Sequence, residues 1–131
     1  MHFSLFHYAL NLLCGSMILR ELKYIYCFGQ ILFVTVVSML FVSVSLLVFA
    51  HPERYYAGFS SIVLGWYTLL EISKIICEKS NSKKAKLMVD GIIYAIISLL
   101  IPGVSVLMHL AGIVSGIIAF LIVDNGKIKT Y

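Results

Sequence analysis

The sequence carries little charge. Of its 131 residues 12% are Asp, Glu, Lys or Arg, against 61% apolar, and the mean hydropathy is +1.01. An ordinary soluble domain holds about a quarter charged residues. Here there is too little polar surface to clothe a particle in water, and the charges sit in short clusters, which argues against a soluble enzyme or a nucleic-acid-binding module. Cysteine is also scarce: Cys14, Cys27 and Cys77 form no CxxC pair and no even set, so neither a disulfide framework nor a zinc site is indicated. No period of about 20 to 50 residues repeats, so solenoid and inverted-repeat transporter readings gain no support. Acids are few, six in all, and a proton path through a membrane would need more of them inside it. The first apolar stretch lacks the basic start and small-x-small cleavage site of a signal peptide.

What the chain has instead is long uncharged runs. A bilayer core of about 30 Å takes roughly 20 helical residues to cross. Met1 to Leu19 is the first run, closed by Arg20-Glu21-Leu22-Lys23, and Tyr24 to Pro52 is the second, closed by Glu53-Arg54. The third starts at Tyr55 and reaches Cys77, with Glu71 and Lys74 near its end. The fourth, Gly91 to Val123, is 33 residues, too long for one crossing, and Pro102-Gly103 divides it, because proline lacks the helical N–H donor and glycine accepts turn geometry. Five spans are predicted, at about 3–19, 25–50, 57–77, 87–101 and 104–123, in one all-α membrane domain over 1–131. Glu78 to Lys86 reads as a solvated loop and Asp124 onward as a polar tail. Nine of the ten basic residues then fall on one side, and only Arg54 on the other. Positive charge is retained in the cytosol, so the amino terminus is expected outside and the carboxyl terminus inside.

Polar side chains within the spans are costly and mark candidate sites. His7 and Asn11 lie four apart, on one face of the first span. Ser60 stands at the outer start of the third, within Gly58-Phe59-Ser60-Ser61, and His109 near the outer start of the fifth, followed by Gly112 and Gly116. All come out within about 10 Å of one depth at 1.5 Å per residue. Singly, His7 and Asn11 would be packing contacts, Ser60 and Ser61 helix caps, and the glycines a packing stripe. Together they contain the parts of a hydrolase. A serine hydroxyl needs a base, which His109 can supply if two helices touch. Gly65, Gly112 and Gly116 remove the side chains that would hold those helices apart. Asn11, His7 and the Ser60 N–H are candidate donors to an oxyanion.

The order and spacing resemble the rhomboid family of intramembrane serine proteases. His7-x-x-x-Asn11 matches the family's second helix, Gly58-x-Ser60 its fourth, and His109-x-x-Gly112-x-x-x-Gly116 its sixth. The resemblance implies Ser60 as nucleophile, His109 as general base, His7 and Asn11 as oxyanion donors, and no metal or organic cofactor. It implies single-pass transmembrane proteins as substrates, cut in or near the outer part of their membrane segment and admitted laterally past the fourth span, with the lipid bilayer as surroundings and no nucleic-acid partner. The alternative is a catalytically silent relative that binds membrane clients for trafficking or degradation. The chain departs from the pattern in four places: no first helix precedes His7, so a minimal or truncated form is expected, Ser61 replaces the usual glycine after the nucleophile, Leu64 stands where many members carry an aromatic ring, and the glycine and glutamate usual later on the second helix are not at their offsets, Glu21 being the nearest acid.

Overall fold

In lipid every backbone N–H and C=O must find its partner within the chain, which leaves helices as the economical solution for uncharged runs of this length. The computed structural model describes residues 5–49, 59–100 and 106–123, with side chains 5–7 and 99 left out. It contains five helices: α1 (Leu5–Ile25), α2 (Phe28–Phe49), α3 (Phe59–Cys77), α4 (Asn81–Leu100) and α5 (Val106–Val123). Three of them, α2, α3 and α5, are long and apolar enough to cross a membrane. The other two are of spanning length but carry charges: Arg20, Glu21 and Lys23 at the end of α1, and Lys83, Lys84, Lys86 and Asp90 early in α4.

Two boundaries differ from the sequence reading. Helix α1 runs on through the Arg20–Lys23 cluster to Ile25, and most of the expected Glu78–Lys86 loop is the first turn and a half of α4. Charge ends an apolar run but does not end a helix, since Lys, Arg, Glu and Ala are good helix formers. Only residues 78–80 separate α3 from α4. There the Ser80 carbonyl accepts from the Lys84 N–H, and the Ser80 N–H donates to Glu78 Oε1 at 2.9 Å. The Pro102-Gly103 break, Arg54 and the tail from Asp124 lie outside the described residues.

Helix α3 is the axis of the bundle, with ten buried residues from Ser60 to Ser73. Neighbours touch it along narrow stripes. On α1 the stripe is Gly15, Ile18 and Leu22, and on α2 it is Ile31, Val34, Ser38 and Val42, each recurring at the three-to-four spacing of one helix face. The remaining apolar side chains face outward, Leu47 87% exposed and Phe28 77%, an arrangement that is stable only in a hydrocarbon surrounding. Because lipid tails are as apolar as leucine, close packing and hydrogen bonds hold such helices together. Ser38 and Ser115 join α2 to α5 through their hydroxyls at 2.9 Å, and Trp66 Nε1–H donates to Thr35 Oγ1 at 3.0 Å, joining α3 to α2. Ser73 donates to Leu69 O at 2.6 Å, so Tyr26 is the donor in the 2.7 Å bond between their hydroxyls.

These contacts set direction. Tyr8 lies by Phe59, Gly15 by Val63 and Trp66, and Tyr26 by Ser73, so α1 and α3 run parallel. Gly112 lies by Ser61, and Gly116 by Gly65 and Thr68, so α5 is parallel to α3 as well. Thr35 meets Trp66 while Ser38 meets Gly65, and Tyr94 meets Tyr67 while Ser98 meets His109, so α2 and α4 run the other way. At one end of the bundle Lys74 pairs with Glu21 at 2.6 Å and Glu71 at 3.6 Å, close to the basic start of α4. Ser60 and His109 lie at the other end, roughly 20 Å from Lys74 along α3 at 1.5 Å per residue.

Candidate active site

The approach of α3 to α5 follows from the glycines. A Cβ added to Gly112 would meet the Ser61 carbonyl oxygen, with the Ser61 carbonyl carbon at 3.0 Å and Cα at 3.1 Å. One added to Gly116 would lie 2.6 Å from the Gly65 carbonyl oxygen, and one added to Gly65 2.7 Å from Ser38 Oγ. Gly112 and Gly116 thus lie against the main chain of α3, and Gly65 against the side chains of Ser38 and Ser115. The fourth glycine expected to pack at the site, Gly58, lies outside the described residues.

Above this seam, Ser60 is the second residue of α3 and His109 the fourth of α5. Both are buried, at 7% and 4% exposure. Ser60 Oγ is 3.3 Å from His109 Nε2, and on the far side of the ring His109 Nδ1 is 2.7 Å from the main-chain oxygen of Ser98, in the last turn of α4. A carbonyl only accepts, so the proton on the neutral ring is on Nδ1. Nε2 then presents its lone pair to the Ser60 hydroxyl, which donates to it. That is the tautomer a general base requires. At 3.3 Å the bond is at the long end of the usual range, as catalytic hydrogen bonds often are before substrate binds.

Two further features bear on the chemistry. The first four N–H groups of a helix have no intrahelical acceptor, and its amino-terminal end favours negative charge. Ser60 stands within this first turn of α3. Asn11 is half-buried on the α1 face that carries Gly15, and the pairings Tyr8 with Phe59 and Gly15 with Val63 set it level with the start of α3. His7 belongs to the first turn of α1, but its side chain lies outside the described residues. Ser61, in the place usually held by glycine, is fully buried, and its Oγ has no hydrogen-bond partner among the described residues. Room for it comes from Gly112, whose missing side chain lets the Ser61 backbone lie against α5. Leu64 is buried one turn below Ser60. It borders a hollow of about 240 Å³ between α3, α4 and α5, whose other walls include Thr68, Gly91, Ile92, Ala95 and Ile113.

Sequence reasoning missed Ser98, because its part is played by a main-chain oxygen, which residue identity does not announce. The one available signal is the helix end ahead of Pro102-Gly103, where the last carbonyls of α4 are left without helical donors. Among the described residues no cluster of three or more His, Cys, Asp or Glu is placed to hold a metal.

No curated protein and no solved structure matches the chain. The family profile described as Rhomboid domain matches residues 1–125. That match covers all five helices and both members of the serine–histidine contact, and the chain belongs to the rhomboid family.

Proposed function

We propose that the protein is an intramembrane serine protease in which Ser60 is the nucleophile and His109 the general base. The observation that carries this reading is the buried line from Ser60 Oγ to His109 Nε2 at 3.3 Å and from His109 Nδ1 to the Ser98 carbonyl at 2.7 Å. On attack, the Ser60 hydroxyl proton passes to Nε2 as Oγ bonds to the scissile carbonyl carbon. The resulting oxyanion is met by donors at the amino-terminal end of α3, with the Asn11 amide and His7 assigned as the remaining donors. The imidazolium returns its proton to the leaving nitrogen, the peptide C–N bond breaks, and an acyl ester on Ser60 remains. Water, deprotonated by the same Nε2, hydrolyses the ester and restores the hydroxyl.

All five helices cross the membrane in this reading. The amino terminus faces out and the basic end, with Arg20, Lys23, Lys74 and the start of α4, faces the cytosol. The site then opens toward the outer leaflet, and substrates are single-pass proteins cut near the outer part of their membrane segment. Helix α4, whose only buried side chain among those described is Ser98, is the flank past which they enter.

The test is labelling of the purified protein by a fluorophosphonate, which reports an activated serine without a known substrate. Wild type is expected to label, and Ser60→Ala and His109→Ala to lose labelling. Equal labelling of all three, or none under conditions where active relatives react, would overturn the protease reading in favour of a silent relative that binds membrane clients.

A further inference from the structure

The proposed reaction pairs a serine with a histidine and names no side chain to orient the ring. We infer that the carboxyl-terminal end of α4 does this work: the main-chain carbonyl of Ser98 is the positioning group of the base. The inference rests on the protease reading for its catalytic meaning, but its structural content stands on its own.

In a helix the Ser98 oxygen would accept from the N–H of residue 102, but that residue is proline and has none, so the oxygen is available. It lies 2.7 Å from His109 Nδ1, shorter than the 3.3 Å contact on the catalytic side. The Ser98 side chain is turned elsewhere, its hydroxyl donating to Ala95 O at 2.7 Å. Holding the proton on Nδ1 is necessary for the base, because a ring protonated on Nε2 instead has no lone pair for Ser60. There is an electrostatic consequence too. His109 is in the first turn of α5, where the helix dipole disfavours an imidazolium, whereas the end of α4 carries the opposite partial charge and favours it. The carbonyl therefore supports the ring both before and after it takes the serine proton. In a serine–histidine–aspartate site a carboxylate has these two tasks, and here a neutral helix terminus performs them without a buried acid. Since α4 borders an open hollow with Met88, Gly91, Ile92 and Ala95 and buries only Ser98 among its described side chains, the base is set only while α4 is docked.

The experiment replaces the amide between Ser98 and Leu99 by an ester, introducing the α-hydroxy analogue of leucine at position 99 of the full chain. An ester carbonyl is a weaker acceptor, so the Ser98 oxygen is weakened and no side chain changes. An ester at position 97 is the control: it deletes a comparable helical N–H and weakens the Ile96 carbonyl instead. Fluorophosphonate labelling is expected to slow at least about fivefold with the ester at 99, given the strength of hydrogen bonds to groups that become charged. The ester at 97 is expected to stay within about twofold of wild type. The second readout is the ¹⁵N spectrum of the His109 ring in detergent, identified by its loss in His109→Gln. It is expected to show Nδ1 protonated in wild type and the ester at 97, with the proton shifted toward Nε2 in the ester at 99. An unchanged rate or an unchanged tautomer in the ester at 99 would overturn the inference while leaving the protease reading in place. If wild type does not label, the protease reading falls, and the tautomer comparison alone decides whether the Ser98 carbonyl positions the ring.

Discussion

Replacing Gly112 by alanine is the sharpest perturbation of the seam that brings Ser60 and His109 together. The new methyl group would run into the Ser61 carbonyl oxygen, with the Ser61 carbonyl carbon and Cα only 3.0 and 3.1 Å away. Carbon atoms rest at about 3.5–4.0 Å, so relief requires α3 and α5 to part by roughly 0.5–1 Å. The obstacle is main chain of a central helix, which has no alternative rotamer. Overpacking of this kind costs about 1–3 kcal/mol, partly offset by the better helix propensity of alanine, about 1 kcal/mol. The Ser60–His109 contact is already 3.3 Å, and the same movement takes it beyond hydrogen-bond range. A misplacement of about 1 Å can cost about a hundredfold in rate. Gly112→Ala is thus expected to lose labelling far more than stability, measured as fluorophosphonate labelling rate against thermal unfolding in detergent. Wild-type labelling in Gly112→Ala would refute the reasoning, because the seam would then not set the site.

Other substitutions separate packing from chemistry. Gly91 has nothing within 4 Å of an added Cβ, so Gly91→Ala should leave labelling unchanged and raise the unfolding temperature, helix propensity contributing up to about 1 kcal/mol. Ser61→Ala removes a buried hydroxyl without a partner among the described residues and should stabilise by about 1 kcal/mol, read by the same melting assay, with labelling retained. Trp66→Phe deletes the 3.0 Å bond to Thr35 and should destabilise by about 1–2 kcal/mol. Glu21→Gln breaks the pair with Lys74, whose two side chains are 52% and 34% exposed, and leaves Lys74 on Glu71, so a change below about 1 kcal/mol is expected, shrinking further in high salt.

Much of this arrangement was legible in the sequence, for identifiable reasons. Ser60 and His109 could be paired because the uncharged runs fix depth, and Gly112 and Gly116 at helical spacing identify the faces that meet. The ends of α1 and α4 were misread because hydropathy stops at Arg20 and Lys86, whereas helix formation continues through both. The hydroxyls of Ser38, Ser73 and Ser115 gave no signal, since a serine in an apolar run is as often bonded to its own helix as to a neighbour. Ser98 was invisible for a different reason: it contributes a backbone atom, left without a helical donor by Pro102 four residues on.

The most direct test of the account is to locate the fluorophosphonate adduct by tandem mass spectrometry of the labelled protein, since two serines are adjacent and only one is set against the imidazole. The phosphonate mass is expected on Ser60 in wild type and nowhere in His109→Ala. An adduct on Ser61, or one on Ser60 that persists without His109, would contradict the claim that the α3–α5 seam activates Ser60 through His109.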